Sequence, residues 1–73
     1  MKVWVLADAS GELGENYCGY YNLRVCFEAA VKFRTEAEAV EFKNKHRLLD
    51  HQPMPIGVSD EKYRKIAEME EWG

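Results

Sequence analysis

The chain has no run of apolar residues close to the roughly 18 that a membrane-spanning helix needs, so a span is not expected anywhere along it. Its N-terminus lacks a basic segment followed by an apolar stretch and a small-residue cleavage site. Two cysteines are too few for the disulfide framework of a small secreted domain. Together these absences predict a cytoplasmic protein. Basic residues are in deficit as well: ten Lys and Arg stand against thirteen Asp and Glu, a formal charge of −3. That balance argues against direct nucleic-acid binding as the main activity while leaving room for a local basic face. There is no internal repeat, low-complexity tract or linker, so residues 1–73 read as one domain. A core of this size supplies only a few kcal/mol of net stability and leaves little room for a deep catalytic cleft.

What is present is clearest between Phe33 and Phe42, where a strand end runs into a self-capped helix. Thr35 precedes Glu38 by three residues, the spacing at which the Thr hydroxyl accepts from the backbone amide of Glu38 and the Glu carboxylate reaches back to the N-cap amide. Glu36 and Glu38 in the first turn, with Lys43, Lys45 and Arg47 in the last, oppose the helix dipole, each worth about 0.3–1 kcal/mol when exposed. The helix is therefore expected from Glu36 to Arg47 or Leu48. Ala39, Phe42 and His46 share its inner face, with Phe42 as the main anchor.

Residues 2–8 form a first strand whose unbroken Val3-Trp4-Val5-Leu6 run implies cover on both faces. Residues 9–16, rich in Gly and polar side chains, suit a hairpin loop. Residues 17–21 and 23–27 then read as a second and third strand around a turn near Asn22. Glu28-Ala29-Ala30 is one helical turn or a bulge, and residues 31–33 are a short strand. Pro53 and Pro55 forbid a central strand over residues 53–57, which leaves an edge strand or a crossing segment whose open edge would allow a homodimer. Ser59 starts a second helix, with Asp60/Arg64 and Glu61/Lys65 at i, i+4 and an inward stripe of Tyr63, Ile66, Ala67 and Met69. The expected fold is α+β: a small antiparallel sheet of three to four strands with two helices packed on one face.

No set of residues in this pattern names a reaction. Cys18, Cys26, His46 and His51 could suggest zinc, but the seven residues between the cysteines do not match finger spacing. A nucleophilic Cys would need a lowered thiol pKa and an orienting third group. With a turn centred near Asn22 the two cysteines would lie opposite each other, close enough for a disulfide under oxidising conditions. Neither catalysis, a metal nor a cofactor is expected. The aromatics are more informative. Trp4 suits cross-strand packing, whereas adjacent Tyr20 and Tyr21 on a strand must face opposite ways and leave one exposed, and Tyr is a frequent interface anchor. Tyr20, Tyr21 and Trp72, with Glu12 and Glu15 of the loop, form the candidate partner-binding set. Glu36, Glu38, Glu41, Glu68, Glu70 and Glu71 could offer a negative surface to a basic groove.

Val31-Lys32-Phe33-Arg34-Thr35, followed by Glu38-Ala39 and Phe42, resembles the K-F-x-T-x-x-E-A-x-x-F pattern of short proteins encoded by phages and prophages. The resemblance covers roughly residues 2–47. It implies an accessory protein that binds a host protein in the bacterial cytoplasm, a category that includes inhibitors of defence systems such as anti-CRISPR proteins. A nucleic-acid-binding defence component is a partner of that kind. The same segment is similar to the N-terminal hybrid-binding domain of ribonuclease H and the viroplasmin domain. That likeness implies an RNA-duplex or RNA/DNA-hybrid binding module as the alternative. Gly19-Tyr20-Tyr21 and Cys26 match that pattern, but no Trp lies between them.

Overall fold

A computed structural model describes residues 1–8, 16–70 and 72–73. The expected hairpin loop, with Glu12 and Glu15, lies outside the described residues apart from Asn16, and so does Glu71. In chain order the elements are β1 (Lys2–Asp8), a 3-10 turn (Phe27–Ala29), α1 (Glu36–Lys45), β2 (His51–Gly57) and α2 (Asp60–Glu68). The fold is α+β. No helix among the described residues is long and apolar enough to cross a membrane.

β1 and β2 pair antiparallel from Lys2 opposite Gly57 to Asp8 opposite His51. Met1 and Val58 extend the ladder with reciprocal bonds of 2.7 and 2.8 Å. Among the described residues the sheet has these two strands, in place of the three to four expected. The other segments join by single backbone bridges: Tyr17 with Ala7 and with Val25, Gly19 with Ala30, Phe33 with Trp4, and Lys32 with Trp72. The physical reason is competition for one edge. Cys18 N–H donates to the Leu6 carbonyl at 2.9 Å while Phe33 exchanges bonds with Trp4 at 2.8 and 2.9 Å. Two segments thus share the seven-residue edge of β1 that β2 leaves free, and neither has length for a ladder.

The side chains of β1 alternate as a pleated strand requires. Leu6 joins Cys18, Val31, Phe33 and Ala39 in one buried cluster, with Trp4, Phe42 and Leu48 packed against it. Val3 and Val5, on the opposite face, are just as inaccessible, so both faces are covered as the unbroken apolar run implied. α1 lies against both strands. Phe33, fully buried, takes the anchoring place expected of Phe42, whose half-buried ring meets it at 5.2 Å between centroids. α2 is held elsewhere, by Tyr63 against Trp72 at 5.5 Å and by Lys62 over the Phe27 ring at 5.0 Å. Its buried Ile66 stands outside the α1 cluster, so the two helices do not share one packed face in the way expected. Tyr63 is half-buried, whereas Ala67 and Met69 of the anticipated stripe are exposed.

Thr35 caps α1 as the spacing predicts, its hydroxyl accepting from the Glu38 amide at 3.2 Å. The Glu38 carboxylate accepts from the amide of Arg34, one residue before the expected N-cap amide, at 3.3 Å. The helix ends at Lys45, short of Arg47. His46, Arg47 and Leu48 donate to the carbonyls of Phe42, Asn44 and Lys43, closing a Schellman motif with Arg47 in the left-handed region at φ 54°. Ser59 caps α2 through the Lys62 amide at 3.1 Å, and Glu61 pairs with Lys65 at 3.7 Å.

The two prolines fall where they cost no ladder bond. The Trp4 and Leu6 carbonyls point to the edge away from β2, so Trp4 opposite Pro55 and Leu6 opposite Pro53 are the non-hydrogen-bonded pairs. Both proline nitrogens therefore face outward, and the open edge of β2 lacks donors at two successive outward positions. Such an edge resists pairing with another chain, which works against a homodimer formed there. Replacing both, Pro53→Thr with Pro55→Thr, restores those donors and should raise the self-associated fraction in light scattering. An unchanged mass would remove the role assigned to the prolines. Independently, Arg47→Gly relieves a left-handed non-glycine residue and should raise unfolding free energy by about 0.5–1 kcal/mol in urea titration. A loss of stability would contradict the Schellman assignment.

Candidate partner-binding surface

Residues 19–24 have no regular secondary structure, yet side-chain bonds from three parts of the fold hold them. Gly19 N–H donates to the Asn22 carbonyl at 2.7 Å, closing the turn. Glycine is required there by close approach: a Cβ at position 19 would sit 3.0–3.1 Å from both Val25 methyls and from the Ala29 carbonyl oxygen. From beyond the turn, the Tyr20 hydroxyl donates to the Trp72 carbonyl at 3.1 Å. His51 Nε2 lies 3.2 Å from the Leu23 carbonyl, and since a carbonyl only accepts, Nε2 carries the proton. Arg24 Nε donates to Asp8 Oδ2 at 3.1 Å. Asp8 and His51 are buried and face each other in the β1–β2 register.

What the loop presents is apolar. Tyr21 is 99% exposed, Tyr20 56% and Leu23 53%. The strand alternation expected for the two tyrosines does not apply, because they sit in the turn, and both face solvent. Beneath Tyr20 and Leu23 is a cavity of about 370 Å³, lined also by Cys18, Gly19, Phe42, His46 and Leu48. The His46 ring stacks on Phe42 at 4.3 Å between centroids. On the far side of the loop, Tyr20 and Tyr21 border a smaller depression of about 150 Å³ with Asn22, Val25 and Ala29.

The remaining expected site residues disperse. Trp72 is folded back: its backbone bridges Lys32, and its ring lies against Tyr63 and 4.7 Å from the Arg34 guanidinium. Its buried indole nitrogen meets no hydrogen-bond partner among the described residues. Only the Trp72 carbonyl reaches the candidate surface, as acceptor for Tyr20. Glu12 and Glu15 lie outside the described residues. Glu36 and Glu41 flank a shallow depression around Val40 on the outer side of α1, Glu38 is engaged in the cap, and Glu68 and Glu70 are exposed at the end of α2. Leu23, Leu48 and Phe42 as walls of a cavity escape the sequence reading, since nothing local ties residue 23 to residue 48. Lys32 is also unexpected: it is buried, donates to the carbonyls of Ala30 at 3.1 Å and Glu28 at 3.4 Å, and lies 4.8 Å from the Phe27 ring. It thereby ties down the 3-10 turn.

The cysteines are separate. Tyr17 pairs with Val25, which centres the turn on Tyr21 and places Cys18 opposite Arg24, so the facing arrangement expected for a disulfide does not occur. Burial pushes the Cys18 thiol above its ordinary pKa, the opposite of what a nucleophile needs. Cys26 is exposed, and the Glu28 carboxyl is held below the usual range by its own backbone amide first and the Cys26 thiol next. Among the described residues no three His, Cys, Asp or Glu side chains gather as metal ligands would.

Comparison with family models, curated proteins and solved structures finds no match to this chain.

A colorimetric disulfide reagent at pH 7.5 should titrate one thiol, Cys26, at once and the second, Cys18, only after unfolding. The native state holds the Cys18 proton to higher pH than the unfolded chain does. Stability should therefore be unaffected by this group at neutral pH and fall as pH rises above the ordinary thiol range. Equal reactivity of both thiols in the native protein would overturn the burial of Cys18.

Proposed function

We propose that this chain is a small accessory protein of the phage type that acts by occupying a surface on a host protein in the bacterial cytoplasm, without turnover. The observation that carries this reading is the 99% exposed Tyr21, flanked by exposed Tyr20 and Leu23, on a loop fixed by Asp8, His51 and Trp72. An exposed aromatic side chain on a pre-ordered segment loses little conformational freedom when a partner covers it, which is the property of an interface anchor. The resemblance of residues 31–42 to phage-encoded proteins adds inhibition of a bacterial defence system as the role, with a nucleic-acid-binding component as the target. The exposed carboxylates of Glu36 and Glu41 suit a basic groove on such a target.

Tyr21→Ser removes the anchor without touching the core, so its thermal melting should match that of the parent chain. Immobilised parent chain should capture a bacterial host protein that the Tyr21→Ser chain fails to retain. Equal capture by both chains would remove Tyr21 from the interface. No protein captured, together with a salt-sensitive gel shift of an RNA/DNA hybrid, would transfer the assignment to the hybrid-binding alternative.

A further inference from the structure

Trp72 and Gly73 touch the candidate surface and three other parts of the fold at once. Val31 and Phe33 donate toward Cys18 and Trp4, so the Lys32 backbone faces the opposite edge of that segment. There Trp72 forms a parallel bridge with Lys32, and the Gly73 amide donates to the Lys32 carbonyl at 2.9 Å. The Trp72 ring meets both Tyr63 of α2 and the Arg34 guanidinium, while its carbonyl accepts from the Tyr20 hydroxyl at 3.1 Å. The seat of residue 73 fits glycine. A Cβ there would fall inside contact distance of a Val31 methyl and lie 2.8 Å from the Phe33 ring. Both of those side chains are fully buried in the core cluster, where a close-packed neighbour gives way only at a cost.

Two features oppose this docking. The buried indole N–H has lost its water without gaining a partner among the described residues. Glu70, just beyond α2, holds the left-handed conformation at φ 52°, which is unfavourable for a residue with a Cβ. A segment held by few contacts against two such costs is the kind that opens locally while the core stays closed. We infer that Trp72-Gly73 is a latch that sets the order of the 19–24 loop. Docked, it pins Tyr20 and presents Tyr21 in one arrangement; undocked, it removes that hold while the Arg24 and Leu23 tethers remain. As regulation of binding, the latch rests on the protein-binding reading above. The coupling is reciprocal: a partner that orders the loop favours the docked segment, and whatever prises out Trp72 weakens the grip on the partner by removing pre-organisation.

The test reads the whole chain, isotope-labelled, by NMR without any partner. Gly73→Ala should expel the segment. The amide order parameters of Tyr20 to Leu23 should then fall from about 0.85 toward about 0.6, and exchange protection of the Gly19 amide should drop about tenfold or more. The Trp72 indole N–H signal should move downfield as it meets water, while the amides of Leu6 and Ala39 keep their shifts and show the core intact. Gly57→Ala, whose added methyl would have nothing within 4 Å, should change none of these. Tyr20→Phe should loosen the loop of the parent chain but add little in the Gly73→Ala background, because the bond it removes is already gone. An unmoved indole signal, a loop as ordered in Gly73→Ala as in the parent, or full additivity of the two substitutions would overturn the latch. If host-protein capture needs Tyr21 while loop order ignores Gly73→Ala, the latch fails and the protein-binding reading stands. If the loop loosens as stated while capture is indifferent to Tyr21→Ser, the latch stands as a device of the fold and the protein-binding reading fails.

Discussion

Everything in this fold hangs on the backbone of β1, which is paired with β2 over seven residues along one edge and bonded at Trp4, Leu6 and Asp8 along the other. On one side β2 pairs with it from end to end. On the other, Cys18 and Phe33 divide what remains. Its side chains are also covered on both faces, with Val3, Val5 and Leu6 fully buried and Trp4 partly so. That arrangement fixes Phe33 against Trp4, which sets where α1 begins two residues later at its Thr35 cap. It also brings Cys18 alongside Leu6, which sets where the following loop must emerge. A small domain has few kcal/mol to spare, and here the few available contacts converge on one strand.

The loop at 19–24 inherits its order from that strand. Asp8 ends β1, His51 begins β2 directly opposite it, and each holds one residue of the loop, Arg24 and Leu23 respectively. The third tether comes from the far end of the chain, through Trp72. A segment without helix or ladder is thereby kept in place by three polar contacts, two of them part-buried and one exposed.

The sequence was most informative where the determinants are local. Thr35 with Glu38, and Ser59 with the acids behind it, specify helix starts through hydrogen bonds that span three or four residues, and both appear where expected. The edge placement of residues 53–57 follows equally from two missing N–H groups. Helix ends were less legible, since α1 stops through a left-handed Arg47, a residue that carries no glycine-like signal. The strands expected at 17–21 and 23–27 failed for a non-local reason. Their β-rich composition was correctly read, but no residue in them reveals that Phe33 already occupies half of the edge they would need. Of the candidate site, Tyr20 and Tyr21 were singled out by a strand alternation that they do not follow, since both lie in the turn and both are exposed. The cavity beside them was not, because Leu23, Phe42 and Leu48 are distant in sequence and meet only in the folded chain.

The pairing of β1 with β2 has a cost in time. Lys2 meets Gly57 and Asp8 meets His51, so more than forty residues separate the strand from the partner that completes it. At a synthesis pace of roughly 5–20 residues per second, the gap amounts to roughly 2–10 seconds. Throughout that interval Val3, Trp4, Val5 and Leu6 leave the ribosome as an uncovered apolar segment with unsatisfied amides, the kind of sequence that holdase chaperones bind. The ladder that covers this edge of β1 can close only once residues 51–57 have emerged.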